Sequence, residues 1–90
     1  MIDAKDVRKN LDEWLQNTSW KGIYDNAPSE ACRKYLAMLF YASETEEDEA
    51  FETMDQMEQN LSLDDLRYML QNSIGPAKAK YMSLIEKIEK

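Results

Sequence analysis

Apolar residues recur along this chain every three or four positions, the period of a helix buried on one side, and nowhere alternate as a half-buried strand requires. Val7, Leu11, Trp14 and Leu15 make the first stripe. Asp3 stands ahead of it as an N-cap, and Asp6 suits the positive end of the helix dipole. Asn17 to Ser19 is expected to end this helix. Trp20, Ile23 and Tyr24 then lie in a connection that holds Gly22 and closes on Asp25-Asn26-Ala27-Pro28, which reads as a loop or one short turn of helix. Pro28, with Asn26 or Ser29 as cap, opens a segment to about Ala42. Cys32, Tyr35, Leu36, Leu39 and Phe40 form its stripe, flanked by Ala31, Met38 and Tyr41; a helix apolar on nearly every side is expected at the centre of the fold.

Thr45 and Asp48 have capping-box spacing, with Asp in place of the usual Glu, and predict the start of a third helix. Its apolar line is Ala50, Phe51, Met54 and Met57, continuing to Leu61, with Glu49, Glu52, Asp55 and Glu58 on the other sides. Ser62 and Asp65 repeat the box, and Leu61 can staple onto Leu66. Leu63, Leu66, Met69 and Leu70 carry a fourth helix to about Asn72, where Ser73-Ile74-Gly75-Pro76 breaks it. A fifth begins near Pro76 on the stripe Ala77, Tyr81, Leu84, Ile85 and Ile88, with Lys78, Lys80, Lys87 and Lys90 mostly on other faces. The expectation is an all-α fold, a compact antiparallel bundle of four to five short helices, with residues 1–90 as a single helical domain.

Composition supports a folded chain: 43% hydrophobic residues, with two Trp, five Tyr and six Met, is too apolar for disorder despite 32% charge. A chain of 90 residues buries only about 60–65% of its unfolded surface, so each large side chain matters to a thin core. The absence of histidine removes the usual proton shuttle and the commonest metal ligand, and with it the Glu-x-x-His pairs of di-iron bundles. No glycine falls between Gly22 and Gly75, which excludes a calcium loop of the EF-hand type from the acidic segment. Neither a glycine-rich phosphate loop nor a serine elbow is present. Cys32, the single cysteine, lies on an apolar stripe and reads as a buried structural thiol rather than a nucleophile. With neither a signal sequence nor an apolar run of membrane length, a cytoplasmic location is expected, and the glycosylation triplet Asn17-Thr18-Ser19 is expected to go unused.

Charge changes the picture more than composition does. Between Lys34 and Arg67 there is no base and there are ten carboxylates, while the flanking segments are balanced or basic, so the whole net charge of −7 arises in the middle. Glu46, Glu49, Glu52, Asp55 and Glu58 define a candidate acidic face. Two readings compete for it: a solvated surface that keeps a small protein soluble, and an electrostatic surface for a basic partner. Trp14, Trp20 and Tyr24 are candidate aromatic anchors if exposed, and core plugs if not. Exposed together with Met54 or Met57, they would also allow a homodimer.

The expected function is therefore a non-enzymatic protein–protein interaction domain with a protein partner, basic by complementarity, and without cofactor, metal or membrane contact. An alternative is an inhibitor in which helix carboxylates stand in for nucleic-acid phosphates against a DNA-processing or defence enzyme. In composition the chain resembles small phage or mobile-element inhibitors, some anti-CRISPR and restriction inhibitors among them, a likeness of type that rests on acidity and size. A third reading sets the last two helices as a helix-turn-helix on DNA, for which only Lys78 and Lys80 stand near the start of the final helix, and phosphate would repel the remainder.

Overall fold

The computed structural model describes residues 2–89 and contains six helices: α1 (Ala4–Trp14), α2 (Thr18–Asp25), α3 (Glu30–Thr45), α4 (Asp48–Gln59), α5 (Leu63–Gln71) and α6 (Pro76–Glu89). Among the described residues there is no strand. Lys90, assigned above to the last helix, lies outside them. The chain is all-α, with a radius of gyration of 12.8 Å.

The sixth helix is α2, where the sequence suggested a loop or a single turn. Asn17 both closes the first helical segment and opens the second: its Oδ1 accepts from the backbone N–H of Ser19 at 3.0 Å and of Trp20 at 3.5 Å. Two satisfied donors, with Trp20, Ile23 and Tyr24 packed on the core, outweigh the cost of Gly22 within the helix, about 1 kcal/mol.

Helix α3 is the centre, packed on α1 and α4, while α5 and α6 pair with each other. Tyr35, Phe40, Leu36 and Cys32 are its largest fully buried side chains. It runs three residues beyond the predicted end at Ala42. Thr45 Oγ1 donates back to the Tyr41 carbonyl at 2.8 Å, and Glu46 then takes the left-handed conformation at φ 55°, its N–H bonded to Ala42 O. Thr45 is thus the last residue of α3 and not the cap of α4, whose N-cap Glu47 makes no side-chain capping bond. The predicted box at Thr45 and Asp48 does not form. The box at Ser62 and Asp65 does, with both reciprocal bonds present. Gly75, at φ 65°, turns the chain into α6, a conformation that favours glycine.

The stripe of α4 also differs from its prediction. Ala50 and Met54 are buried, but Phe51 is 38% exposed and Glu58 is only 5% exposed. At 100° per residue Phe51 and Glu58, seven positions apart, lie about 20° from each other on one side of α4, so position along the helix separates them: the C-terminal end carrying Glu58 is met by Tyr35 and Lys80.

Candidate functional site

The predicted acidic face divides in two. Glu46, Glu49, Glu52 and Asp55 are exposed, together with Glu47 and Asp48, and form a crest over the α3–α4 turn and the outer side of α4, with Phe51 at its margin. Asp48, Glu52 and Asp55 take no part in the ion pairs among the described residues, which join Lys21 to Asp25, Arg33 to Glu30, Arg67 to Glu89 and Lys80 to Glu58. Glu58 does not belong to the face.

Its carboxylate is instead the hub of a buried network. Tyr35 donates to Glu58 Oε2 at 2.8 Å, and Lys80 Nζ stands 2.9 Å from the same oxygen. The Tyr35 and Tyr81 hydroxyls are 2.6 Å apart. Since Tyr35 has one proton and gives it to Glu58, Tyr81 must donate to Tyr35. Burial, then the hydrogen bonds to Tyr81 and Glu58 and the charge of Glu58, hold the Tyr35 hydroxyl far above the ordinary tyrosine range. Burial also raises that of Tyr81, against the opposing bond to Tyr35 and the Lys80 charge. With its carboxylate bonded by a phenol and an ammonium, Glu58 joins α3, α4 and α6.

A second polar junction fastens α5. Ser29 caps α3 by accepting from Cys32 N at 3.1 Å, and its hydroxyl donates to Asp65 Oδ1 at 2.8 Å. Asp65, buried, accepts through its other oxygen from Ser62 N. Ser29 and Asp65, 36 residues apart, thereby tie the caps of α3 and α5 together. Tyr68 donates to the Ile23 carbonyl of α2. Burial, with the nearby Asp65 charge, pushes the Cys32 thiol up to about 11, the state of a structural thiol. Among the described residues no group of three or more acidic or cysteine side chains is arranged to hold a metal ion, and no helix is long and apolar enough to cross a membrane.

The aromatic candidates serve both as core and as surface. Trp14 stacks on buried Phe40, with centroids 4.6 Å apart and planes at 9°, and Trp20 meets Trp14 and Phe40 edge-on at 5.4 and 5.2 Å. Both tryptophans remain half-buried, as does Tyr24 on α2. Two depressions share this wall. On one side is a notch of about 360 Å³ lined by Glu13, Trp14, Asn17, Trp20 and Glu44. On the other is a mostly apolar groove of about 310 Å³, lined by the tryptophans with Ile23, Leu39, Met69 and Ala77 and also by Asn72, Ser73 and Lys80, with Ile74, 89% exposed, among its residues. Glu44 is the first carboxylate of the base-free stretch, so acidic crest and aromatic wall are neighbours. Sequence spacing gave no sign of this, because Glu13, Trp20 and Glu44 come from three helical segments. A further cleft of about 450 Å³ between α1, α3 and α4 is lined by Ile2, Val7, Met38 and Met57, with Lys34 and Glu49 of opposite sign.

Lys80, one of the two bases at the start of α6, is engaged by Glu58 and is correspondingly less available to a nucleic-acid backbone. No family model matches the chain, and neither a curated protein nor a solved structure does.

Proposed function

We propose that this chain is a non-enzymatic binding protein that engages a basic surface of a partner protein, using the crest of Glu46, Glu49, Glu52 and Asp55 and the adjoining aromatic wall. The observation that carries the reading is the meeting of the two at Glu44: exposed carboxylates run from the α3–α4 turn directly to a pair of half-buried tryptophans. Crest carboxylates steer a cationic partner and set orientation, while aromatic side chains supply contact area. The cytoplasmic location is part of the same proposal and rests on the single, buried and unpaired cysteine.

Charge reversal tests it. Partner proteins are captured on immobilised protein and identified, and their affinity is measured between low and physiological salt for the parent and for Glu46→Lys with Glu52→Lys and Asp55→Lys. Three reversals on an exposed steering surface are expected to weaken binding by roughly 100-fold at low salt and to flatten its salt dependence. Unchanged affinity and slope would remove the crest from the function.

A second reading, an inhibitor that mimics nucleic acid, is favoured by one feature: Asp48, Glu52 and Asp55 line a single side of α4, separated by rises of about 6 and 4.5 Å. It requires the captured partner to be a DNA- or RNA-processing protein from which nucleic acid displaces this chain. A partner that binds both at once would leave only the first reading.

A further inference from the structure

The notch and the groove on either side of Trp14 and Trp20 differ in chemistry, and the difference specifies an occupant. We propose that the notch receives a cationic side chain, guanidinium or ammonium, and that the groove receives an apolar side chain of the same partner segment, so that the docking element is a basic, apolar peptide stretch of another protein. The inference rests on the binding reading above and specifies which chemistry the aromatic wall selects.

Every side chain lining the notch is aromatic, acidic or an amide, and none is basic. Glu13 and Glu44 reach it from α1 and α3, and both are exposed, so their charges need no burial before a ligand arrives. An indole face attracts a cation through its quadrupole, and a carboxylate pairs with the same group; together they discriminate against anions and give a neutral polar group little. The tryptophans are held before binding, because Phe40, buried in α3, stacks on Trp14 and meets Trp20 in a T-shaped contact. A wall fixed in this way avoids much of the ordering cost that accompanies binding to mobile side chains. The groove has one base in its lining, Lys80, whose ammonium is paired with Glu58, and beside it Ile23, Leu39, Met69 and Ala77 offer a surface for an aliphatic or aromatic group. The net charge of −7 gives the long-range attraction the same sign preference.

The chain contains two tryptophans, and both line the notch and the groove, so emission excited selectively in the indole band reports on these two depressions. The probes are N-acetyl-argininamide, its uncharged isostere N-acetyl-citrullinamide, and an acetylated leucyl-argininamide. The arginine compound is expected to shift tryptophan emission saturably with a millimolar dissociation constant, the citrulline compound to leave it unchanged, and the leucyl-arginine compound to bind about tenfold more tightly as the groove fills. Glu13→Gln with Glu44→Gln, both on exposed positions, is expected to weaken the arginine compound at least about fivefold with an unchanged circular dichroism spectrum. Asp64→Asn with Glu86→Gln, exposed on α5 and α6 and removing the same two charges, should leave it unaltered. An equal response to citrulline, no loss in the Glu13 and Glu44 variant, or equal losses in both variants would overturn the proposal. Sedimentation of the free protein as a dimer that the Glu13 and Glu44 variant dissociates would identify a second copy as the occupant and overturn the foreign segment. If the small probes fail while reversal of the crest still abolishes partner binding, the notch falls and the broader reading stands.

Discussion

At the scale of single residues, Glu58 decides more than any other carboxylate. It accepts from Tyr35 and pairs with Lys80, so the two ways of disturbing it differ in size of consequence. Lys80→Met leaves an almost completely buried carboxylate without its cation, and is expected to lower unfolding free energy by about 2–4 kcal/mol, toward the range for breaking a buried pair. Glu58→Gln retains an oxygen for the Tyr35 proton and removes the buried charge, so its loss should be the smaller; urea unfolding of the two variants decides the order. A larger loss in Glu58→Gln would mean that the ion pair contributes more than the desolvation it offsets. The raised hydroxyls of Tyr35 and Tyr81 and the Cys32 thiol near 11 add a pH dependence. Each group is held protonated by the fold, so its stabilisation is complete below its unfolded pKa, about 9 for the thiol and 10 for the phenols, and is lost as pH rises toward the folded values. Stability measured by urea should be flat up to about pH 9 and fall above it, and Cys32 should resist thiol reagents at pH 8 until urea unfolds the chain. Sequence contained the clue to Glu58, since it lies four residues after Met54 and three before Leu61 on the buried line. Its place in a run of acids pointed the other way, and only Tyr35 and Lys80, brought in from other helices, make its burial tolerable.

At the scale of elements, boundaries followed from local chemistry wherever one side chain dominated. Ser62 and Asp65 were legible because the capping box lies within four consecutive residues and the same residues satisfy each other in the fold. Helix α2 was not, because Gly22 and the polar triplet before it weaken helix propensity, while the packing of Trp20, Ile23 and Tyr24 on the core is tertiary. The α3–α4 turn failed for a related reason: α3 extends to Thr45, whose hydroxyl donates to the Tyr41 carbonyl and accepts from Glu47 N–H at 3.4 Å, so it bonds at the turn and does not reach the first turn of α4. That choice leaves Glu46 at φ 55°, the one described non-glycine residue with positive φ. Left-handed backbone costs an L-residue roughly 1–2 kcal/mol, part of which glycine returns as greater entropy of the unfolded chain. Glu46→Gly should therefore raise stability by about 0.5–1 kcal/mol, read from the urea midpoint at constant slope. A fall would show that the Glu46 side chain contributes more to the turn than its backbone strain removes.

For the molecule as a whole, the dominant asymmetry is that attraction lies inside and like-charge repulsion outside. The α5–α6 pair is fastened to the rest by polar contacts of long sequence separation: Ser29 to Asp65, Tyr35 to Tyr81, Lys80 to Glu58 and Tyr68 to Ile23. These are buried or partly buried, hence weakly screened by salt, whereas the carboxylates of the crest face solvent and are screened almost fully beyond about 10 Å at 0.1 M ionic strength. The other ion pairs among the described residues, Lys21 with Asp25, Arg33 with Glu30 and Arg67 with Glu89, are exposed and contribute at most about 1 kcal/mol each. Neighbouring like charges on α4 cost a similar amount per pair, and they sit within a net charge of −7. Salt should thus relieve more than it removes. Raising sodium chloride from about 10 to 500 mM is expected to increase Tm by several degrees, since about 1 kcal/mol corresponds to roughly 4–8 °C in a domain of this size. The variant with Glu46, Glu52 and Asp55 reversed to Lys should start from a higher Tm at low salt and gain less. A Tm that falls with salt in the parent would mean that surface attraction outweighs repulsion, and the crest could not then be regarded as a field left unbalanced for a basic partner to neutralise.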